Sequence, residues 1–382
     1  MVADARKLKE DIVREVSRVV VGKEEKLRLI TAALLADGHI LLDDLPGVGK
    51  TTLVKALSRA LGCRSSRVQF TPDLLPSDVT GMNIYDRATG AFKRLDGPVM
   101  TNLLLADELN RAIPRTQSAL LEAMEERQVT LDGATQALPK PFFVLATQNP
   151  VESESTFRLP AAQLDRFLMC LSMGYPSETE EAAMLRLVGG AIPFDAVQPV
   201  TSPEALCALM DEVQSGVAVS DEMTAYIVAV TAATRKSEKL RLGASPRASR
   251  ALYRASKALA AIEGRDFVTP DDVKTLAAPV LCHRLVLSSR AAMAGETAQD
   301  VLAQLLDTVP VPPKTADVCD ACGSRLVQRR DDAPETVLSR LEIYHRETEP
   351  LKEFYAGRGL LRAVEDRPTV AATAEAVLEA LR

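Results

Sequence analysis

From about residue 20 to residue 175 the chain alternates short, continuous apolar runs with stretches whose apolar residues recur every three or four positions. Runs of the first kind, at 39–42, 67–70, 102–106, 142–146 and 167–171, predict buried strands, and the stretches between them predict helices. This alternation is the signature of an α/β unit around a largely parallel sheet. From 177 to about 306 the pattern becomes almost wholly helical, as in ALCALMDEV, TAYIVAVTAATRK and ASRALYRASKALAAIEG, and predicts a separate all-α domain. In TPDDVKTLAAPVL, Thr269 is placed to cap a helix that opens on Pro270 with acids in its first turn. The run VPVPPK near 309–314 cannot continue a helix and predicts a junction. The organisation expected is therefore 1–175 α/β, 176–311 helical and 312–382 a tail.

Composition narrows this picture. Among 382 residues, 47% are hydrophobic and 26% charged, as in a chain that buries cores, and a net charge of −6 gives no global field for nucleic acid or an anionic membrane. Of six cysteines, Cys63, Cys170, Cys207 and Cys282 stand alone, unlike a secreted disulfide framework, so a cytoplasmic location is expected. The N-terminal segment is amphipathic and interrupted by charge, without a signal-peptide core, and no stretch approaches the roughly 18 apolar residues of a membrane span.

The chemistry begins in HILLDDLPGVGKTTLVKAL, a strand, a tight Gly/Pro loop and a helix. Gly47, Gly49, Lys50 and Thr51 fall on the second half of a phosphate-binding loop. In such a loop backbone N–H groups and a helix N-terminus face phosphates, a lysine neutralises charge and a hydroxyl ligates Mg²⁺. Asp44 stands where the general pattern asks for Gly. Further on, NLLLADELNRA brings a buried strand to Asp107 and Glu108; after a phosphate loop, one acid can hold Mg²⁺ and its neighbour can polarise the attacking water. PFFVLATQNP ends in Asn149, which can orient water or touch the γ-phosphate, or alternatively cap a turn before Pro150. Arg166 in LPAAQLDRF and Arg247 in GASPRA are arginines able to stabilise transition-state charge, although position alone does not separate either from a surface ion-pair partner.

Taken in order, PGVGKT, LLLADELNRA, ATQNP, LPAAQLDRF and GASPRA resemble the MoxR family of AAA+ ATPases over residues 1–311. That family carries an acid at the position of Asp44. The resemblance implies an AAA+ P-loop sheet with flanking helices and an all-α lid, with ATP and Mg²⁺ as ligands. Pro46, Gly47, Val48, Gly49, Lys50, Thr51 and Thr52 would bind the nucleotide, and Thr51 and Asp107 would hold Mg²⁺. Glu108 would be the base, Asn149 the first sensor, Arg166 a finger acting on a neighbouring subunit, and Arg247 the second sensor. It further implies a hexameric ring that remodels or matures partner proteins, often with von Willebrand A-domain partners; the net charge, for its part, leads to an expectation of no nucleic-acid partner. Residues 70–100 lie where this branch carries an inserted loop or hairpin, which can touch a client or be a plain surface excursion.

The tail resembles the second half of an adenylate kinase lid and that enzyme's last core helices, mostly helical, with Arg329, Arg340, Asp331 and Asp332 on lid positions. This raises a second reading, transfer of phosphate from ATP to AMP. That reading lacks its own phosphate loop, AMP-binding section and first lid half in this sequence. Cys319 and Cys322 form half of a tetrahedral zinc site. Without a second pair, a free dithiol is expected in place of bound zinc.

Overall fold

The computed structural model describes residues 1–43, 49–149, 156–188, 194–312 and 334–362, together with 364 and 378. Two compact units are formed, Met1–Pro312 and Pro313–Arg382. The boundary falls inside the proline-rich VPVPPK stretch.

In the first unit, helices α1 (Val2–Val16) and α2 (Glu24–Leu35) precede β1 (Ile40–Asp43), α3 (Lys50–Ala60) and β2 (Ser65–Gln69). There follow α4 (Pro76–Thr80), the hairpin β3 (Gly81–Asp86) and β4 (Ala91–Asp96), β5 (Leu103–Asp107), α5 (Pro114–Glu126) and the hairpin β6 (Gln128–Leu131) and β7 (Ala134–Ala137). β8 (Phe143–Gln148), α6 (Ala161–Leu164) and β9 (Met169–Leu171) complete the sheet region. Five strands pair in parallel in the order β2-β5-β8-β1-β9. All five apolar runs became strands, most of them displaced a residue or two toward the C-terminus, because the ladder partners and not the apolar run decide where pairing stops. The displacement brings Asp107 and Gln148 into the ends of their strands.

The central strands are buried on both faces, hence their continuous apolar sequences. Their side chains nevertheless sort with a period of two. Leu103, Leu105, Phe143, Leu145, Ile40 and Leu42 enter one core, whereas Leu104, Ala106, Val144, Ala146 and Leu41 enter the other. The second core is closed by α5 through Leu120, Leu121 and Met124. The first is closed by α1 through Ala5, Leu8, Ile12 and Val16, and by α2 and α3.

After α7 (Glu178–Val188) the chain is helical: α8 (Pro203–Gly216), α9 (Asp221–Lys236), α10 (Pro246–Ile262), α11 (Pro270–Leu281), α12 (Ser289–Met293) and α13 (Ala298–Thr308), with a small ribbon of β10 (Leu240–Leu242) and β11 (Val286–Leu287). Leu206, Leu252, Leu259, Leu276 and Leu302 share the core that contains α1, α2 and one face of the sheet. The helical region is thus joined to the sheet by continuous apolar packing. At α11, Asp272 accepts from the backbone N–H of Thr269 at 2.8 Å and from its hydroxyl at 2.9 Å. Arg265 grips the same carboxylate at 2.8 and 2.6 Å.

The described part of the second unit consists of α14 (Pro334–Ile343), which carries Arg340, a π-helical turn over Tyr344–Thr348 and α15 (Glu349–Gly357). Leu338, Leu341 and Phe354 are exposed on it. Cys319, Cys322, Arg329, Asp331 and Asp332 lie outside the described residues. Among the described residues, no helix is long and apolar enough to cross a membrane.

In the first unit His39 is buried and His283 is half-buried. His39 accepts from the backbone N–H of Val144 at Nδ1 (3.1 Å), and its Nε2 lies 3.1 Å from the carbonyl of Met124. This arrangement requires the neutral ring with its proton on Nε2. Burial, reinforced by the Arg127 charge, holds the His39 pKa well below 6.5. Burial, with the neighbouring Arg284 charge, does the same to His283, whose Nε2 lies 3.2 Å from the Phe167 carbonyl. Unfolding releases both rings to bind protons once the pH drops below about 6.5, so stability is full above that value and is lost as pH falls beneath it. The thermal midpoint is expected to be lower at about pH 5.5 than at about pH 7.5, a range above ordinary carboxylate titration. Equal midpoints would show that the rings do not stay neutral in the folded chain.

Candidate functional site

At the carboxyl edge of the sheet the ends of β1, β5 and β8 lie side by side, because β8 pairs with both of the others. In open α/β sheets this edge is where ligands bind. α3 starts here. Its cap, Gly49, has φ +83° and no atom near the place of a Cβ, so glycine is required by conformation and not by space. A cleft of about 370 Å³ is lined by Gly49, Lys50, Thr51 and Thr52 from the start of α3, by Asp107 and Glu108 after β5, and by Thr147, Gln148 and Asn149 at the end of β8. Arg67 and Gln69 of β2 close one side. The expected phosphate- and Mg²⁺-binding residues that are described, with Glu108 and Asn149, thus line one cleft, whereas Pro46, Gly47 and Val48, with Asp44, fall outside the described residues.

Glu108 takes φ +56° and ψ +48°, a left-handed conformation uncommon for a residue with a side chain, and caps a 3-10 turn at Leu109–Arg111. This turn sends the chain away from the sheet directly after Asp107 and leaves both carboxyl groups in the cleft. Thr147, fully buried, ties the two together. Its hydroxyl donates to Asp107 Oδ1 at 2.7 Å and accepts from the Glu108 backbone N–H at 2.8 Å. The other oxygen of Asp107 receives Arg67 Nη2 at 2.8 Å. Glu108 Oε2 accepts from Gln69 Nε2 at 2.7 Å and from Arg111 Nη1 at 2.8 Å. Asn149, buried, is fixed through its backbone, its carbonyl accepting from the Asn110 amide at 3.2 Å.

Chemically, the cleft offers a lysine and a hydroxyl at a helix N-terminus opposite a carboxylate pair. A carboxylate has about four lone-pair positions, so Asp107 retains capacity for a cation beside its bonds to Thr147 and Arg67. A small side-chain hydroxyl, a carboxylate and open space for phosphate oxygens form the hard-oxygen donor set that suits Mg²⁺.

Arg166 and Arg247 do not line this cleft. They meet in another cavity, of about 250 Å³, whose wall also includes Glu125. Glu125 forms ion pairs with both, at 2.8 Å from Arg166 Nε to Oε2, while Oε1 receives Arg247 Nη2. Sequence reasoning missed Thr147, Arg67, Gln69, Arg111 and Glu125. A polar residue at the end of the apolar run FVLATQ was a usable signal for Thr147. The remainder depend on strand register and on chain crossings, which have no local sequence mark.

The fold and the cleft together define a P-loop nucleotide hydrolase of the AAA+ class, with a parallel sheet, a helical lid and an acid pair in one cleft with the start of α3. Residues 39–169 match the family model described as ATPase family associated with various cellular activities (AAA), and residues 232–305 match an AAA lid domain. The uncharacterized protein YeaC of Bacillus subtilis is 49% identical over 306 residues, covering 80% of this chain and 95% of its own. Chaperone MoxR1 of Mycobacterium tuberculosis is 41% identical over 316 residues, covering 80% and 83%. The crystal structure of a candidate ATPase from Cytophaga hutchinsonii superposes with a TM-score of 0.77 at 36% identity, over 82% of this chain and 97% of that one. Likeness to adenylate kinases is short and partial: that of Caldicellulosiruptor saccharolyticus is 49% identical over 70 residues, 33% of its length. The chain belongs to the MoxR family of AAA+ ATPases, and its activity is ATP hydrolysis.

Proposed function

We propose that the chain hydrolyses Mg·ATP in a ring, most simply a hexamer, with each active site completed by the neighbouring subunit, and that this cycle remodels partner proteins. Lys50 and the N-terminus of α3 bind the β- and γ-phosphates, with Pro46, Gly47, Val48, Gly49 and Thr52 completing the loop around them. Thr51 and Asp107 would hold Mg²⁺, which offsets charge on the phosphate oxygens. Glu108 takes a proton from the attacking water as its oxygen bonds to the γ-phosphorus; the bond to the β–γ bridging oxygen breaks, and ADP and phosphate leave. Asn149 orients that water or contacts the γ-phosphate.

One observation carries the shared-site reading. Among the described residues, the cleft holds phosphate-binding groups and the acid pair, and the arginine in its lining, Arg67, is engaged by Asp107 and Gln69, while Arg166 and Arg247 sit together elsewhere on the same unit. Two arginines that line a cavity other than their own cleft, and share a carboxylate, are suited to serve a nucleotide held by another copy. Remodelling is supported by the name of the MoxR1 relative, a chaperone, and by the β3–β4 hairpin. On that hairpin Tyr85 and Phe92 pair edge to face at 5.5 Å between centroids and are 57% and 75% exposed. A von Willebrand A-domain protein as partner and a cytoplasmic setting complete the proposal.

The test is a product analysis with Mg·ATP, with and without AMP. Inorganic phosphate formed without AMP is the expected result. ADP formed only with AMP, and without phosphate, would assign turnover to the kinase-like tail and overturn the reading. A second check concerns Thr147. Thr147→Val removes a donor from Asp107 and an acceptor from the Glu108 N–H, leaving a buried group unsatisfied at a cost of about 1–3 kcal/mol. Phosphate release is expected to fall by roughly tenfold or more, since each 1.4 kcal/mol is a factor of ten, with fold retained by circular dichroism. Unchanged turnover would separate Thr147 from the acid pair.

A further inference from the structure

Around Arg166 and Arg247 the charges are arranged as shared pairs. Asp37 serves Arg127 at 2.8 Å and Arg254 at 3.7 Å. Asp165, the residue before Arg166, accepts from Arg284 Nε at 2.7 Å and from the hydroxyl of Ser245 at 2.8 Å. Ser245 is the cap of α10, two residues before Arg247. Arg284, almost fully buried, also donates to the carbonyls of Leu168 and Asp165. The backbone bases of the two arginines are thereby fastened to each other, and only their side chains remain to be directed.

Glu125 is the carboxylate that directs them. It stands at the end of α5, and its two oxygens divide between Arg166 and Arg247. All three side chains are about a third exposed, at 34% for Glu125, 32% for Arg166 and 35% for Arg247, so the group faces outward without being dissolved in water. Each guanidinium has five N–H donors in a planar fork, and one carboxylate cannot use them all. Arg166 Nε makes its close approach to Glu125 without an aligned hydrogen bond. Six arginines line this cavity against Asp37, Glu125 and Asp165. Without Glu125, Arg166 and Arg247 would repel each other and the remaining arginines, and would lose the carboxylate that they share among the described residues.

We propose that Glu125 is a positioning residue that presents Arg166 and Arg247 as one unit to the phosphates of the neighbouring subunit's nucleotide. The proposal rests on the reading that those arginines act between subunits. The carboxylate acts through the arginines: it sets the separation and direction of the two cations that meet the phosphates. Its contribution therefore belongs to the turnover of the adjacent subunit's ATP and not to ATP bound in its own cleft.

The experiment uses the full chain and mixed rings. Glu125→Gln is expected to lower kcat by about tenfold or more, the scale on which small misplacement of a catalytic group acts, while ATP affinity changes by less than about twofold. Glu125→Asp keeps the charge and is expected to return kcat to within about threefold of the unaltered chain. The deciding measurement mixes Glu125→Gln subunits with Glu108→Gln subunits, which donate unaltered arginines but cannot hydrolyse. Activity above the sum of the separate preparations is expected, as it is for Arg166→Ala mixed with Glu108→Gln. Recovery for Arg166→Ala but not for Glu125→Gln would overturn the proposal and leave the shared site standing. Recovery for neither would remove the shared site and the proposal with it. A Glu125→Gln chain with unchanged or raised kcat would equally overturn it.

Discussion

Arg166→Ala is expected to reduce ATP turnover by about three orders of magnitude or more, the range in which arginines acting on transferring phosphoryl groups operate, while ATP still binds. The separation follows from geometry: Arg166 is absent from the cleft that holds Lys50, Thr51, Asp107 and Glu108. Folding should hardly notice the change. The ion pair it loses to Glu125 is about a third exposed, and pairs of that kind contribute about 0–1 kcal/mol. Arg166→Lys should recover little, because a point charge cannot reproduce a planar fork. The accompanying sign is concentration: specific activity of the unaltered chain should rise with protein concentration as sites are completed by assembly, and that of Arg166→Ala should stay flat. A specific activity of the unaltered chain that ignores concentration from dilute to assembled conditions would count against a site shared between subunits.

The second large effect belongs to Glu108. Glu108→Gln keeps the size of the side chain and an oxygen able to accept from Gln69, but removes the charge that pairs with Arg111 and the base that receives the water proton. General-base contributions are typically about 10²–10⁴-fold, and a loss of that size in phosphate release is expected. Binding of ATP, measured directly with a fluorescent analogue, should persist, since the phosphate-binding groups of α3 are untouched. The same analogue should fail to bind Lys50→Ala, which separates loss of the base from loss of the phosphate clamp. Turnover at the unaltered rate in Glu108→Gln would remove this residue from the reaction.

The legible part of this molecule was the part written in local patterns. LLLADE reads as a buried strand ending in two acids because a strand covered on both faces must be apolar until it leaves the core, and the first polar residues mark its exit. GVGKTT reads as a phosphate loop because its backbone must approach an anion closely. The capping of α11 by the Thr269–Asp272 pair was equally local. Thr147 shows the limit. It is visible as a polar residue in an apolar run, but its task, joining Asp107 to the Glu108 backbone across 39 and 40 positions of sequence, depends on β8 lying beside β5. Arg67 and Gln69 carry still less signal, since they reach the acid pair only through the register that sets Gln69 opposite Asp107.

The sequence by itself determined the class of fold, the positions of the strands to within a few residues, and the helix start at Lys50 and the two acids that share its cleft, because each follows from hydrophobic periodicity or from the conformational needs of a short segment. Tertiary structure alone decided which charges are partners. Glu125 and Arg247, 122 positions apart, meet because α5 and the start of α10 converge at one cavity. An ion pair of that kind depends on a few ångströms of distance between elements that no local pattern relates.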